Sequence, residues 1–296
     1  MTLPDYDPAQ AASRWLDSLG GLLTDAGSPF WWPTLLAAGV AAVLLSLFAG
    51  VKLRDIPRAL FPHSRQDMLR ELPVDIACFV IGSAVPFLLG PALFLTSIAG
   101  ASVAVLFLSP LTGIPQAGGP APGMAMLVAA AVLAFTAGDF MLYWSHRLFH
   151  RIPLLWRSHQ LHHAPPVLTP LTAFRFWPWE ALVHFCFGAF GQGFGLGLCA
   201  AIAGVEVTPY QVLGVNVVAL AWNIAFANLR HSHVPLGFPR WMSFVLVSPH
   251  MHQVHHSVAA EHHDRNFGTA LALWDWLFGT LYLPRKDERF RFGLSP

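Results

Sequence analysis

Two His-x-x-His-His repeats and one His-x-x-x-His supply eight histidines at helix-face spacing: His146 and His150, then His159, His162 and His163, then His252, His255 and His256. Residues three and four apart on a helix project to one side. Each motif can therefore aim two or three imidazoles at a common point. Neutral imidazole is the commonest protein ligand for transition metals. Eight such groups exceed what one ion needs, since a structural zinc takes four, and they suit a pair. His231, three residues after Asn228 where an apolar run ends, makes a ninth ligand. His233 and His250 lie near the third motif, where a supporting or surface role is favoured over ligation. His262 and His263 sit in a polar loop, His184 follows Glu180 by one helical turn as in an ordinary Glu–His hydrogen bond, and His63 reads as interfacial. Residue types alone leave zinc, iron, copper and nickel open, and the His-Glu-x-x-His signature of zinc proteases is absent. The face that carries His146 continues backwards to Tyr143 and Asp139. A carboxylate there is placed to accept the spare ring N–H of a ligating histidine.

The elements that must hold this array are those of a membrane protein. Of the 296 residues, 55% are hydrophobic and only 11% charged, with a mean hydropathy of +0.52. A soluble domain has about a quarter of its residues charged. The net charge of +1 and the lack of a basic stripe argue against nucleic acid as a partner. Cys78, Cys186 and Cys199 lie in apolar runs without Cys-x-x-Cys spacing, so neither a disulfide framework nor a zinc–thiolate site is indicated. Residues 1–28 read as an acidic, partly helical leader and not as a cleavable signal. Residues 29–123 form an N-terminal membrane region, 124–283 the histidine-bearing domain and 284–296 a tail.

Phe30–Val51 is long enough to span a bilayer, with Trp31 and Trp32 as interface anchors. The segment from Lys52 to Arg70 is basic and hence cytoplasmic. The apolar stretch 72–110 is broken by Pro86 and Pro91, and an odd number of crossings there, one span plus a re-entrant or interfacial piece, keeps the histidines on the cytoplasmic side. Spans follow at 124–144, 181–203 and 209–229. Glycines 188, 191, 193, 195 and 197 lack the strand and helix start of a phosphate loop and suit close helix packing in lipid. The fold expected is all-α, a polytopic bundle of four to six spans with a cytoplasmic histidine-rich cap holding two metals. Two lysines against fifteen arginines point to a GC-rich bacterial genome, and so to a bacterial inner membrane.

These motifs resemble the fatty acid hydroxylase/sterol desaturase superfamily of integral-membrane di-iron enzymes. The matching stretches run from Asp139-Phe-Met-Leu-Tyr143-Trp-Ser-His146-Arg-Leu-Phe-His150 through His159-Gln-Leu-His162-His163, Arg175…Glu180 and Asn228-Leu-Arg-His231. They continue with Pro249-His-Met-His252-Gln-Val-His255-His256-Ser257, Asp264-Arg-Asn266-Phe-Gly268 and Trp274-Asp275-Trp-Leu-Phe278-Gly279-Thr280. His233 departs from an Asn common in the family, Phe267 from a Tyr, and His250 is additional. The resemblance implies two iron ions held by His146, His150, His159, His162, His163, His231, His252, His255 and His256, which make up the catalytic centre. Asp139, Asn228, His233, Asn266 and Asp275 are expected to support them.

The activity implied is O₂-dependent hydroxylation, or desaturation, of a C–H bond in a membrane lipid such as a sterol or fatty acyl chain. Two electrons come from outside. No dinucleotide-binding or haem-binding module is apparent, so the donor is expected to be a separate ferredoxin, cytochrome or reductase. Arg147, Arg151, Arg157 and Arg240 suit either that donor or anionic headgroups. Trp156, Phe174, Phe176, Trp177 and Trp179 suit either a lipid entrance or an interfacial aromatic belt. A histidine-rich metal transporter would hold its ligands within the spans, which are nearly free of histidine, and an inactive scaffold would have lost ligands.

Overall fold

The computed structural model describes residues 6–25, 28, 30–48, 52–57, 65–115, 121–204, 228–285 and 288–294. Among these the chain is helical and forms no strand, only two isolated bridges. Besides a single turn at Asn228–Arg230, the α-helices are α1 (Pro8–Gly20), α2 (Trp32–Phe48), α3 (Arg65–Leu88), α4 (Gly90–Thr112), α5 (Met124–Arg151), α6 (Pro153–His163), α7 (Pro178–Ala203), α8 (Pro249–His255) and α9 (Leu273–Leu277). Helices α3, α4, α5 and α7 are long and apolar enough to cross a membrane. All of the span expected at 209–229 except its last two residues falls outside the described residues, as do the histidine at 63 and the Asn228 side chain.

A glycine-lined seam makes the bundle. Gly191 and Gly195 of α7 lie so close to the Ala137 and Leu133 carbonyls of α5 that a Cβ would overlap them. Gly193 and Gly197 do the same against Ser97 and Ala101 of α4. With no gain from hiding apolar surface between helices in lipid, close van der Waals contact holds such a seam. The paired positions fix direction. Residues 97 and 101 meet 193 and 197, so α4 runs parallel to α7, whereas 142, 137 and 133 meet 188, 191 and 195, so α5 runs antiparallel.

The stretch expected to hold one span and an interfacial piece forms two helices, α3 and α4. Only α4 joins the seam. Helix α3 makes little contact with α4 and packs on α1, the turn Pro170–Phe174 and α7. Its Glu71 and Asp75 pair with Arg175 at 2.7 and 3.1 Å, and Phe79 meets Phe174 edge-on at 5.1 Å. Helix α3 thus packs against the segment that leads into α7. The chain leaves the end of the bundle where α7 begins through α4, returns through α5 and leaves again through α7, so the first two histidine motifs lie at that end, and the third meets them there.

Local sequence explains the breaks. Pro153 is the first residue of α6 and holds Ile152 in an extended conformation (φ −98°, ψ 115°), which ends α5 and turns the chain. At the other end of the motif set, Ser248 caps α8 by accepting from the Met251 N–H, with Pro249 following it.

Candidate metal centre

The nine histidines singled out as ligands come together in two groups. One holds His146, His150, His159, His163 and His255, the other His162, His231, His252 and His256, each group with its ligand atoms within 4.8 Å of one another. The two touch, with ring centroids 4.6 Å apart for His163 and His256 and 5.2 Å for His159 and His162. Each His-x-x-His-His motif divides between them. The pair His159 and His163, four apart, enters the first group, while His162 turns to the second. In the later motif His252 and His256 enter the second group and His255 crosses to the first. The two motifs thus exchange their middle histidines, which ties the groups into one unit.

The chemistry of these atoms fits metal. In the first group the Nε2 atoms of all five rings are buried without a hydrogen-bond partner, an arrangement that costs about 1–3 kcal/mol for each polar group left so. In the second group the Nε2 atoms converge: His231 to His252 at 2.9 Å, His252 to His256 at 3.2 Å and His162 to His231 at 3.4 Å. Neutral imidazoles have one donor and one acceptor each, so these nitrogens cannot all satisfy one another. Ligands about 2.1 Å from a shared metal stand about 3.0–3.4 Å apart, which matches. The Nδ1 atoms of these four rings are buried and unpartnered. Burial holds His159, His162, His163, His231, His252, His255 and His256 well below the ordinary value of 6.5, so each is neutral at pH 7, the form that binds metal.

Around the first group, acceptors orient the rings. The Nδ1 of His146 faces the Phe267 carbonyl at 2.9 Å and that of His255 the Arg265 carbonyl at 3.0 Å. The Nδ1 of His159 meets Oε1 of Glu180 at 2.6 Å, and Ser158 donates to the other oxygen. Among the described residues Glu180 is therefore the one carboxylate bonded to a ring of either group, and it is not among the residues expected to support the metals. The sequence carries a signal for it: an acid at the first turn of an apolar helix needs a buried partner. His184, expected to bond Glu180, instead directs Nδ1 to Ser145 at 2.8 Å and stays 3.8 Å from the carboxylate.

The role expected of Asp139 is corrected. Its oxygens accept the Ala270 and Leu271 N–H groups and the Trp274 indole N–H, at 2.9–3.0 Å, and no ligand histidine. Asp275 accepts from Phe267, Gly268 and Thr280, and burial raises its carboxyl to about 6. Asn266, at φ 54°, bridges Met251 and Tyr282. These three thus support the centre through the backbone of the 265–274 loop, whose carbonyls meet His146 and His255. That also explains Phe267, whose backbone oxygen serves as acceptor while its ring packs 5.1–5.8 Å from His146, His150 and His255.

The remaining histidines stand apart. His233 accepts the Leu168 N–H at 3.1 Å, His250 bonds the Glu288 carbonyl, and His262 bridges Ser257 and the Glu288 carboxylate. None of the three belongs to either ligand group. His263 is exposed.

A mainly apolar cavity of about 690 Å³ adjoins the centre, within the usual size of ligand pockets. Its wall includes His146 and His159 of the first group and His162, His231 and His252 of the second. Phe174 and Phe176 line it, whereas Trp177 and Trp179 face outward at 51% and 44% exposure and Trp156 packs on His150 and His163.

An all-helical chain of membrane type, with a paired imidazole centre opening on an apolar cavity, is the class that fold and site define. Residues 131–280 match the sequence model of the fatty acid hydroxylase family, just over half of the chain, and the protein belongs to that family. It is similar to an ornithine lipid hydroxylase of Rhizobium tropici, 28% identical over 168 residues that make up 55% of this chain and 45% of that one. An alkylglycerol monooxygenase of Xenopus tropicalis is 28% identical over 165 residues, 55% of this chain and 32% of that protein. A very-long-chain aldehyde decarbonylase of Oryza sativa subsp. indica is 31% identical over 165 residues, 52% and 24% of the two chains. The matches thus span less than half the length of each relative. No solved structure matches the chain.

Proposed function

We propose that the protein is a di-iron lipid hydroxylase: O₂, two electrons and two protons convert a lipid C–H to C–OH and release water. The observation that carries this reading is the set of nine imidazoles in two adjoining groups, facing an apolar cavity. Iron bound there would supply the O₂ chemistry. His146, His150, His159, His163 and His255 would hold one ion, and His162, His231, His252 and His256 the other. Relatives named as a hydroxylase and a monooxygenase favour oxygen insertion over desaturation.

The chain's own residues do the rest. Glu180 and the 265–267 carbonyls orient the rings, the apolar wall excludes water and receives the lipid, and the open side of each group leaves room beside the metals. The histidine end faces the cytoplasm of a bacterial inner membrane, where a separate ferredoxin, cytochrome or reductase delivers electrons. Arg147, which rests on Tyr143 and Trp144, and Arg151, paired with Asp264 at 3.1 Å, lie on this end.

The test is replacement of His255 by Ala. Metal content should fall and the hydroxylated lipid should disappear from membranes that express the chain. Unchanged product formation by that variant would overturn the assignment.

A further inference from the structure

The proposed metals account for five imidazoles of the cavity wall, and the sixth, His184, bonds Ser145, but neither accounts for Arg230. This residue lines the same cavity as His231 and His252. One guanidinium nitrogen donates to the Thr269 carbonyl, while the Nε–H is buried and meets no acceptor. No carboxylate pairs with Arg230 among the described residues. Asp139 is near enough to feel its charge, yet its oxygens are engaged by Ala270, Leu271 and Trp274. A guanidinium has five N–H donors in a planar fork suited to carboxylate or phosphate. Arg230 is half-buried, but its Nε–H is fully enclosed, and a donor enclosed and idle is costly unless something completes it. The metal ligands do not offset that charge, since every residue of both groups is an imidazole and none an acid.

We propose that Arg230 binds an anionic oxygen group of the substrate, a carboxylate or a phosphate, so that the lipid lies with its charged end beside the metal pair. The carbon oxidised is then close to the headgroup end, and the hydrocarbon extends past Phe79, Pro86 and Phe174 towards the cavity rim at Ser18 and Ser28. This rests on the reading of the chain as a lipid hydroxylase.

Binding tests it apart from turnover. The full chain in neutral detergent is titrated with radiolabelled palmitate, hexadecyl phosphate and hexadecanol, which share one tail. The two anions should bind about 10- to 100-fold more tightly than the alcohol, the worth of a charge-assisted contact. Whichever anion is held tighter identifies the headgroup chemistry. R230Q should bring both anions to the level of the alcohol without changing metal content or the affinity for hexadecanol. R230K, which keeps the charge and loses the fork, should fall between.

Equal binding of the three lipids by the unaltered chain, or an anion preference that survives in R230Q, overturns the proposal. The comparison on the unaltered chain stands even where a variant fails to fold. O₂-dependent oxidation is scored separately on the same lipids. Oxidation without anion preference would remove the Arg230 proposal and leave the hydroxylase reading. Anion preference without oxidation would do the reverse.

Discussion

At the scale of the residue, the clustered imidazoles are written plainly in the chain and their partners are not. Spacing alone selects eight of the nine imidazoles, because three- and four-residue steps on a helix leave few other interpretations. The exchange of His162 and His255 between the groups depends on how α6 and α8 face each other, which no local pattern encodes. The same limit explains Asp139. On its own helix it shares the face of His146, but its true partners lie more than a hundred residues away, at Ala270, Leu271 and Trp274. Glu180 was visible as an acid in an apolar run, yet its link to His159 crosses from α7 to α6. Glu180 to Gln keeps the shape and removes the charge that supports the His159 ring. Metal affinity or turnover should drop about 10- to 100-fold, read by metal titration of the purified chain. Wild-type affinity and turnover in this variant would show that the carboxylate does not tune the ligand.

At the scale of the element, glycine decides how the bundle closes. The glycine run in α7 reads from sequence as a packing surface, and its two edges receive two different helices, α5 and α4. A Cβ at Gly193 would overlap the Ser97 backbone, which cannot yield as a side chain can. Gly193 to Ala should therefore cost at least about 1–3 kcal/mol, the usual penalty of overpacking. Gly188 to Ala meets only the Leu142 side chain, 3.5 Å away, and should be tolerated. Thermal unfolding in detergent separates the two, and equal midpoints would contradict the seam. Helix α3 shows where sequence stops: its length and hydropathy match those of a span, but its contacts with Arg175 and Phe174, about a hundred residues on, follow no local pattern.

At the scale of the whole molecule, the buried centre links folding, pH and metal. Burial holds seven histidines well below 6.5 in the folded chain, whereas the unfolded chain titrates near that value. Below about pH 6.5 the unfolded state binds more protons, so the metal-free chain loses stability as pH falls and is level above that range. Each histidine adds up to about 1.4 kcal/mol per pH unit to the slope. Unfolding midpoints of the metal-free chain between about pH 8 and about pH 5 should trace this fall, and a flat profile would contradict a buried neutral array.

The central claim is oxidation of a lipid by O₂ at this centre. Membranes holding the unaltered chain or the His255 to Ala variant are supplied with an electron donor and isotopically labelled dioxygen, and their lipids are weighed by mass spectrometry. A lipid heavier by one labelled oxygen atom is expected, formed only with His255 in place. Lipids identical in the two membranes, or an added oxygen without label, would contradict it.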